Sequence, residues 1–381
     1  MLVMQSPRAC RNIPLDFHGG VAWLPFSGYR QRMGPGDILF ERRGAAGLIT
    51  LNRPQALNAV NHAMVLALAE RLADWASDPA VTRVIIRAAG ERAFSAGGDI
   101  RDLYELGRAG RQVDMLPFWR DEYRLNSFIK HYPKPYVALI DGIVMGGGVG
   151  ISVHGSHRVA GEKFLFAMPE VGIGFFPDVG ATWFLPRLPG ELGAYCALTG
   201  ERLRVADALA GGIATHHIAA ARFPDLIDAL AGTVAVDAVL GAFADAPGEA
   251  ALAPPLRSAI DRLFAGVSVE GILAALDRAD GPHAAWAAKT AATIRTKSPT
   301  SLKVALAQVR RGAHWSFSEC MQAEFRIVSR IVCGHDFYEG VRATIIDKDN
   351  APRWQPADFA GVDAAAVDHH FAPLKEELAL S

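Results

Sequence analysis

Two carboxylates, Glu170 after Pro169 and Asp178 after Pro177, stand eight residues apart in the stretch MPEVGIGFFPDVG (168–180). The stretch is rich in Gly and Phe and has no helical period, so it reads as an irregular segment in apolar company. Acids sharing an apolar pocket push their pKa values apart, which can leave one protonated. Upstream, the apolar run Val137 to Ile140 closes in Asp141-Gly142 and reads as a buried strand ended by a turn. Gly146-Gly147-Gly148 follows, then small apolar residues suited to a buried helix. Glycines at such a corner leave backbone N–H groups facing outward, and the helix dipole adds partial positive charge. A second corner of this kind is Phe94-Ser-Ala-Gly-Gly-Asp99, after the short buried strand Val84-Ile85-Ile86. Two N–H groups brought onto one oxygen polarise an acyl carbonyl and stabilise its enolate or tetrahedral oxyanion. Donors at two corners and acids on one loop point to acyl chemistry.

Elements must hold these groups. Ile38 to Arg42 and Gly47 to Leu51 read as paired strands, followed by the polar loop Asn52 to Val60. Val65, Leu68, Ala69, Leu72 and Trp75 then recur at helical spacing. Residues 114–131 read as a helix with Phe118, Leu125, Phe128 and Ile129 inward and Arg120, Asp121 and Glu122 on a charged face. Beyond Gly180 helices dominate, with Ala-rich stretches near 205–212, 227–245 and 268–276, then Ser301 to Arg311 and Phe317 to Cys333. The pattern predicts an α/β protein. Its parts are an N-terminal tail (1–36), a core carrying the site (37–235) and a helical C-terminal region (236–381).

Composition sets bounds. Half of the 381 residues are hydrophobic and 21% are charged, enough to build a sizeable core. A formal net charge of −1 without a basic block argues against nucleic acid as the main partner. Cys10, Cys196, Cys320 and Cys333 form no CxxC pair, so neither a zinc site nor a disulfide framework is indicated. No window has the roughly 18 consecutive apolar residues of a membrane helix.

Phe94-Ser-Ala-Gly-Gly-Asp99, Met145-Gly-Gly-Gly148 and Met168-Pro-Glu170 together resemble the crotonase, or enoyl-CoA hydratase/isomerase, superfamily. That resemblance implies an α/β fold with a ββα spiral core and a helical C-terminal region. It also implies a coenzyme A thioester whose carbonyl sits between the N–H groups of Gly98 and Gly147. Ala96, Asp99, Ile100 and Arg101 would lie against the acyl-CoA. Hydratases of this superfamily carry a first glutamate three residues after the second hole glycine, and that position is Gly150 here; Glu170 matches their second glutamate. Asp178 stands where they have glycine. FWRDEYRLN (118–126), SPTSLK (298–303) and HDFYEGVRATIIDKD (335–349) extend the likeness over roughly residues 38 to 359, toward the superfamily's hydrolases of short 3-hydroxyacyl-CoA thioesters from valine breakdown. Glu122, Gly147, Glu170 and Asp178 would be the substrate-site residues, with Glu170 and Asp178 catalytic. The chemistry needs no metal or redox cofactor, since coenzyme A belongs to the substrate. A homo-oligomer is implied, in a bacterial cytoplasm or, in a eukaryote, the mitochondrial matrix. A hydratase or isomerase using Glu170 alone, and a non-catalytic acyl-CoA-binding protein, are the alternatives.

Plainer roles compete at several positions. Asp99 suits a helix cap, Pro-Asp-Val-Gly at 177–180 suits a turn, and Glu122 on its charged face would ordinarily be solvated. His154 and His157 read as hydrogen-bonded core residues, His216-His217 and His369-His370 as exposed pairs, and His335 and Asp336 as braces for the C-terminal helices. Trp183, after the Asp178-Val179-Gly180 turn, would reshape the acyl pocket.

Overall fold

Runs of β-branched and aliphatic residues bounded by glycine and charge form nine strands in the computed structural model, which describes residues 36–380. The expectations for the tail, Cys10 included, lie outside the described residues except for Gly36. Strands β1 (Ile38–Arg43) and β2 (Ala46–Leu51) form an antiparallel hairpin. The hairpin continues through β3 (Arg83–Ala88), β5 (Tyr136–Ile140), β7 (His157–Ala160) and β9 (His216–His217), all parallel. The intervening strands β4 (Ala93–Ser95), β6 (Ile143–Met145) and β8 (Leu165–Ala167) form a separate parallel sheet. Successive strands thus alternate between two sheets, and each turn of chain climbs one step of a spiral. The chain has the ββα spiral that the resemblance implied.

Strands covered on both faces must be apolar on both, which is why these runs do not alternate with polar residues. Val84, Ile86, Ala138 and Ile140 face the main core, while Ile85, Val137 and Leu139 face a second one. Helix α1 (His62–Ser77) starts where Asn61 accepts the Met64 N–H at 2.9 Å, and buries Met64, Val65, Leu68, Ala69, Leu72 and Trp75. Helices α2 (Ile100–Arg108) and α3 (Leu116–Lys130) follow, and the triple-glycine corner opens only one helical turn, α4 (Gly147–Gly150). After α5 (Ala181–Phe184), helices at 299–312 and 317–331 return across the top of the spiral. Among the described residues no helix is long and apolar enough to cross a membrane.

Two local expectations change. The 227–245 stretch is two helices, Phe223–Leu230 and Val236–Phe243, because the Ala231 carbonyl leaves the helical ladder to accept Ala45 N–H at 2.8 Å. His216 and His217 are a half-buried edge strand rather than an exposed pair, and the His217 ring bonds the Ala160 carbonyl at 2.9 Å. Asp336 does brace the C-terminal part, accepting from Ser298 Oγ at 2.6 Å and Gln355 N at 2.8 Å.

Leu72 on α1 is fully buried in the main core. Leu72→Ala should cost about 2–5 kcal/mol. Urea unfolding should show a lower midpoint at unchanged slope, and an unchanged midpoint would contradict this packing.

Candidate active site

Strands β4 and β6 are neighbours in the small sheet, so the two glycine corners that end them lie side by side. The first is pinned to the 57–60 loop by three backbone bonds. Ala96 N–H donates to Leu57 O at 3.0 Å, Val60 N–H to Gly97 O at 2.8 Å and Asp99 N–H to Val60 O at 2.9 Å. The second turns at Gly146, φ 45°. A methyl on Gly146 would come within 3.3 Å of Gly97 Cα, and one on Gly147 within 3.4 Å of the Gly98 nitrogen. Glycines allow this close approach of two backbones, which sets Gly98 and Gly147 side by side.

A cavity of about 550 Å³ opens there. Ala96, Gly98, Ile100, Gly147, Glu122, Glu170 and Asp178 all line it, as does Lys297. Phe118, Trp119 and Phe175 make an apolar wall in which the Trp119 and Phe175 rings stack at 5.7 Å. Glu122, Glu170 and Asp178 are each at most 6% exposed. The expectation that Glu122 is solvated is therefore corrected. It is on the inward face of α3, its Oε1 would lie 2.6 Å from a methyl on Gly147, and that oxygen has no hydrogen-bond partner among the described residues. Glu170 opens a short 3₁₀ turn with its Oε2 equally unpartnered.

Burial, and then the neighbouring Asp178, push both Glu122 and Glu170 well above the usual carboxylate range. Burial raises Asp178 to about 7, offset in part by the Tyr123 hydroxyl, which donates to its Oδ2 at 2.9 Å. Burial and mutual proximity thus resist ionisation of all three acids. Lys297 is half-buried at the cavity wall, and desolvation lowers its ammonium pKa.

Asp99 and Arg101 do not line the cavity. Asp99 makes no capping bond at the start of α2; its carboxylate pairs with Arg53 at 3.0 Å, which holds the 53–60 loop against the corner. Arg101 is exposed and donates to Ile345 O at 3.2 Å. Trp183 also stays outside, its ring covered by Arg187 at 3.3 Å and set edge-on to Phe317. His154 is the hydrogen-bonded core residue expected, with Nε2 donating to Val179 O at 2.7 Å and burial lowering its pKa to about 4. His157 is half-buried and bonds Asp237 at 2.9 Å.

Three site residues escaped the sequence reading. Tyr123 has no motif beyond its place beside Glu122. Lys297 stands in a polar loop. Glu324 did leave a signal, since it occupies the apolar stripe Phe317, Cys320, Met321, Phe325 and Val328 of its helix. It is fully buried, and burial followed by the Asp178 charge raises it to about 8.

Gly150 lies at the end of α4. A methyl there would meet Asn126 Nδ2 at 2.8 Å and Val179 Cβ at 2.8 Å, so no side chain fits.

A family model described as enoyl-CoA hydratase/isomerase matches residues 46–371. The mitochondrial 3-hydroxyisobutyryl-CoA hydrolase of Danio rerio is 48% identical over 349 residues, 89% of this chain and 90% of its own. The Homo sapiens protein of that name is 41% identical over 358 residues, 89% of each chain. Among solved structures, a carnitinyl-CoA dehydratase from Mycobacterium thermoresistibile superposes with a TM-score of 0.85 at 43% identity, covering 91% of this chain and 99% of its own. An enoyl-CoA hydratase from Rhodobacter sphaeroides 2.4.1 gives 0.84 at 41% identity, covering 90% and 100%.

The raised Asp178 pKa has a thermodynamic sign. Its unfolded value is near 3.8 and its folded value about 7, so between them the folded state holds the extra proton. That contribution to stability is complete below the unfolded value and is lost as pH rises through 7. Thermal unfolding of wild type and Asp178→Asn should therefore diverge in the variant's favour from about pH 4 to about pH 7 and stay level above about pH 8. A difference independent of pH would contradict the assignment.

Proposed function

Because the chain belongs to the enoyl-CoA hydratase/isomerase family, we propose that it hydrolyses a short 3-hydroxyacyl-CoA thioester, 3-hydroxyisobutyryl-CoA in valine breakdown. The names borne by its relatives divide between thioester hydrolysis and addition or loss of water at a double bond. One observation favours the first. The position of the hydratases' first glutamate is Gly150, where Asn126 and Val179 leave no room for a side chain, while Asp178 adds an acid to the cavity lining.

In this reading the thioester carbonyl oxygen sits between the Gly98 and Gly147 N–H groups, which stabilise the oxyanion formed on attack. Glu170 delivers the oxygen. A methyl on Gly146, beside that hole, would be 3.5 Å from Glu170 Oε1, within reach of the carbonyl carbon. As nucleophile, ionised Glu170 forms a C–O bond while the C–S bond breaks, and water then cleaves the mixed anhydride. As base, it takes a proton from water that attacks the same carbon. In both routes the thiolate leaves as coenzyme A and takes up one proton, and the acid product retains the water oxygen. Asp178, held by Tyr123, accepts the hydrogen bond of the substrate's 3-hydroxyl. Lys297 contributes positive charge at the wall of the cavity toward the anionic coenzyme A. No co-reactant beyond water enters. The same reading carries a homo-oligomer, in the mitochondrial matrix of a eukaryotic host or the cytoplasm of a bacterial one.

Free-thiol release from (S)-3-hydroxyisobutyryl-CoA tests the proposal, with crotonyl-CoA as control. Wild type should release coenzyme A, and Glu170→Gln should lower kcat by about 100-fold or more. Hydration of crotonyl-CoA without thiol release would favour the hydratase reading instead. Gly150→Glu should lose stability by about 1–3 kcal/mol or more through overpacking and gain no hydratase activity; a stable, hydrating variant would remove the steric argument.

A further inference from the structure

The turn that carries Asp178 is held from three sides by side chains remote in sequence. Pro177 O accepts from Gln308 Nε2, and Val179 O accepts from His154 Nε2 at 2.7 Å. The Gly180 and Thr182 N–H groups both donate to one carboxylate, that of Glu324, at 2.8 and 2.9 Å. Val179 itself has φ 54°, left-handed backbone that a β-branched residue adopts only under outside constraint. The next residue, at φ 91°, is glycine, where a methyl would also strike the His154 ring at 2.4 Å.

We infer that Glu324 is a positioning residue: by clamping the strained Val179-Gly180 turn it fixes the Asp178 carboxylate where it meets the substrate's 3-hydroxyl. The chemistry of the clamp favours an acid. A carboxylate offers both oxygens as acceptors, whereas the isosteric amide offers one oxygen and turns a donor toward the other N–H. Glu324 is also the fourth buried acid in a neighbourhood without a buried cation among the cavity-lining residues, an electrostatic cost that packing alone does not require. Asp178 has only the Tyr123 hydroxyl as a side-chain partner, so its direction follows from the backbone that bears it. The inference rests on the reading of Asp178 as the group that meets the 3-hydroxyl.

The test is the preference for a 3-hydroxyl, measured by calorimetric binding of hydrolysis-resistant ketone analogues of 3-hydroxyisobutyryl-CoA and isobutyryl-CoA. Wild type should favour the hydroxylated analogue by about 10- to 100-fold, as expected for one charge-assisted hydrogen bond. Glu324→Gln should reduce that preference to under about threefold, with little change in affinity for the plain analogue. Adding Val179→Gly, which adopts the left-handed conformation freely, should restore it to within about threefold of wild type. A merely structural role would lower the melting temperature and leave the ratio untouched. If Glu324→Gln fails to fold, Glu324→Asp keeps the charge, shortens the reach and carries the same expectation. A folded variant that keeps the wild-type ratio, failure of Val179→Gly to restore it, or a wild type with no preference would each overturn the inference. Thiol release from the true thioester is scored separately: hydroxyl preference without it leaves the clamp standing and overturns the hydrolase.

Discussion

Four carboxyl groups, Glu122, Glu170, Asp178 and Glu324, are buried in one apolar neighbourhood, and everything else about the site follows from the cost of that arrangement. Removing an ionised carboxylate from water costs on the order of several kcal/mol even after the protein relaxes. With Lys297 only half-buried, no enclosed cation among the cavity walls offsets it. Burial instead raises Asp178, with a phenol donor, to about 7 and Glu324, with two backbone donors, to about 8, and raises Glu122 and Glu170 well above the usual carboxylate range. Glu122 and Glu170 each line the cavity with one oxygen that has no hydrogen-bond partner among the described residues.

Such a cluster has to be assembled from distant parts of the chain. β4 and β6 adjoin only because alternate strands of the spiral enter a second sheet, so two corners about fifty residues apart in sequence touch. The acid-bearing turn is finished by residues 131 and 144 positions further on, Gln308 and Glu324. The helical C-terminal part is therefore a component of the site. A division into a core bearing the chemistry and helices packed around it understates this, since the Gln308 and Glu324 ties to the Asp178 turn come from those helices.

How much of this could be read from sequence depended on whether the signal was local. Strands covered on both faces announce themselves as apolar runs, and Val84 to Ile86 and Val137 to Ile140 were found to within a residue or two. Glycine corners and the two loop acids were legible because their chemistry is written in consecutive residues. Asp99 was read as a cap, but its partner is Arg53, 46 residues away, and no pattern encodes that pairing. Glu122 looked solvated beside Arg120 and Asp121, yet the helix turns it inward next to Tyr123. Trp183 looked like a pocket residue by proximity to Asp178, and one turn of α5 carries it to the far side. Glu324 was the missed opportunity, an acid at helical spacing on an apolar stripe, where burial is the expectation and a charge calls for a partner.

Gly150 and Asp178 are two ends of a single steric arrangement. The space that a side chain at 150 would need is occupied by Asn126 and by Val179, the left-handed residue next to Asp178. Left-handed backbone at a β-branched residue costs on the order of 1–3 kcal/mol and persists only where its surroundings over-determine it. Here those surroundings are the His154, Gln308 and Glu324 bonds that also aim Asp178. Seating an acid at 150 would require Val179 to move, and moving Val179 would release the turn and with it Asp178. The absence of one acid and the presence of the other are thus coupled through one residue's backbone. A chain with this turn can carry an acid at 178 or an acid at 150, but its packing does not hold both.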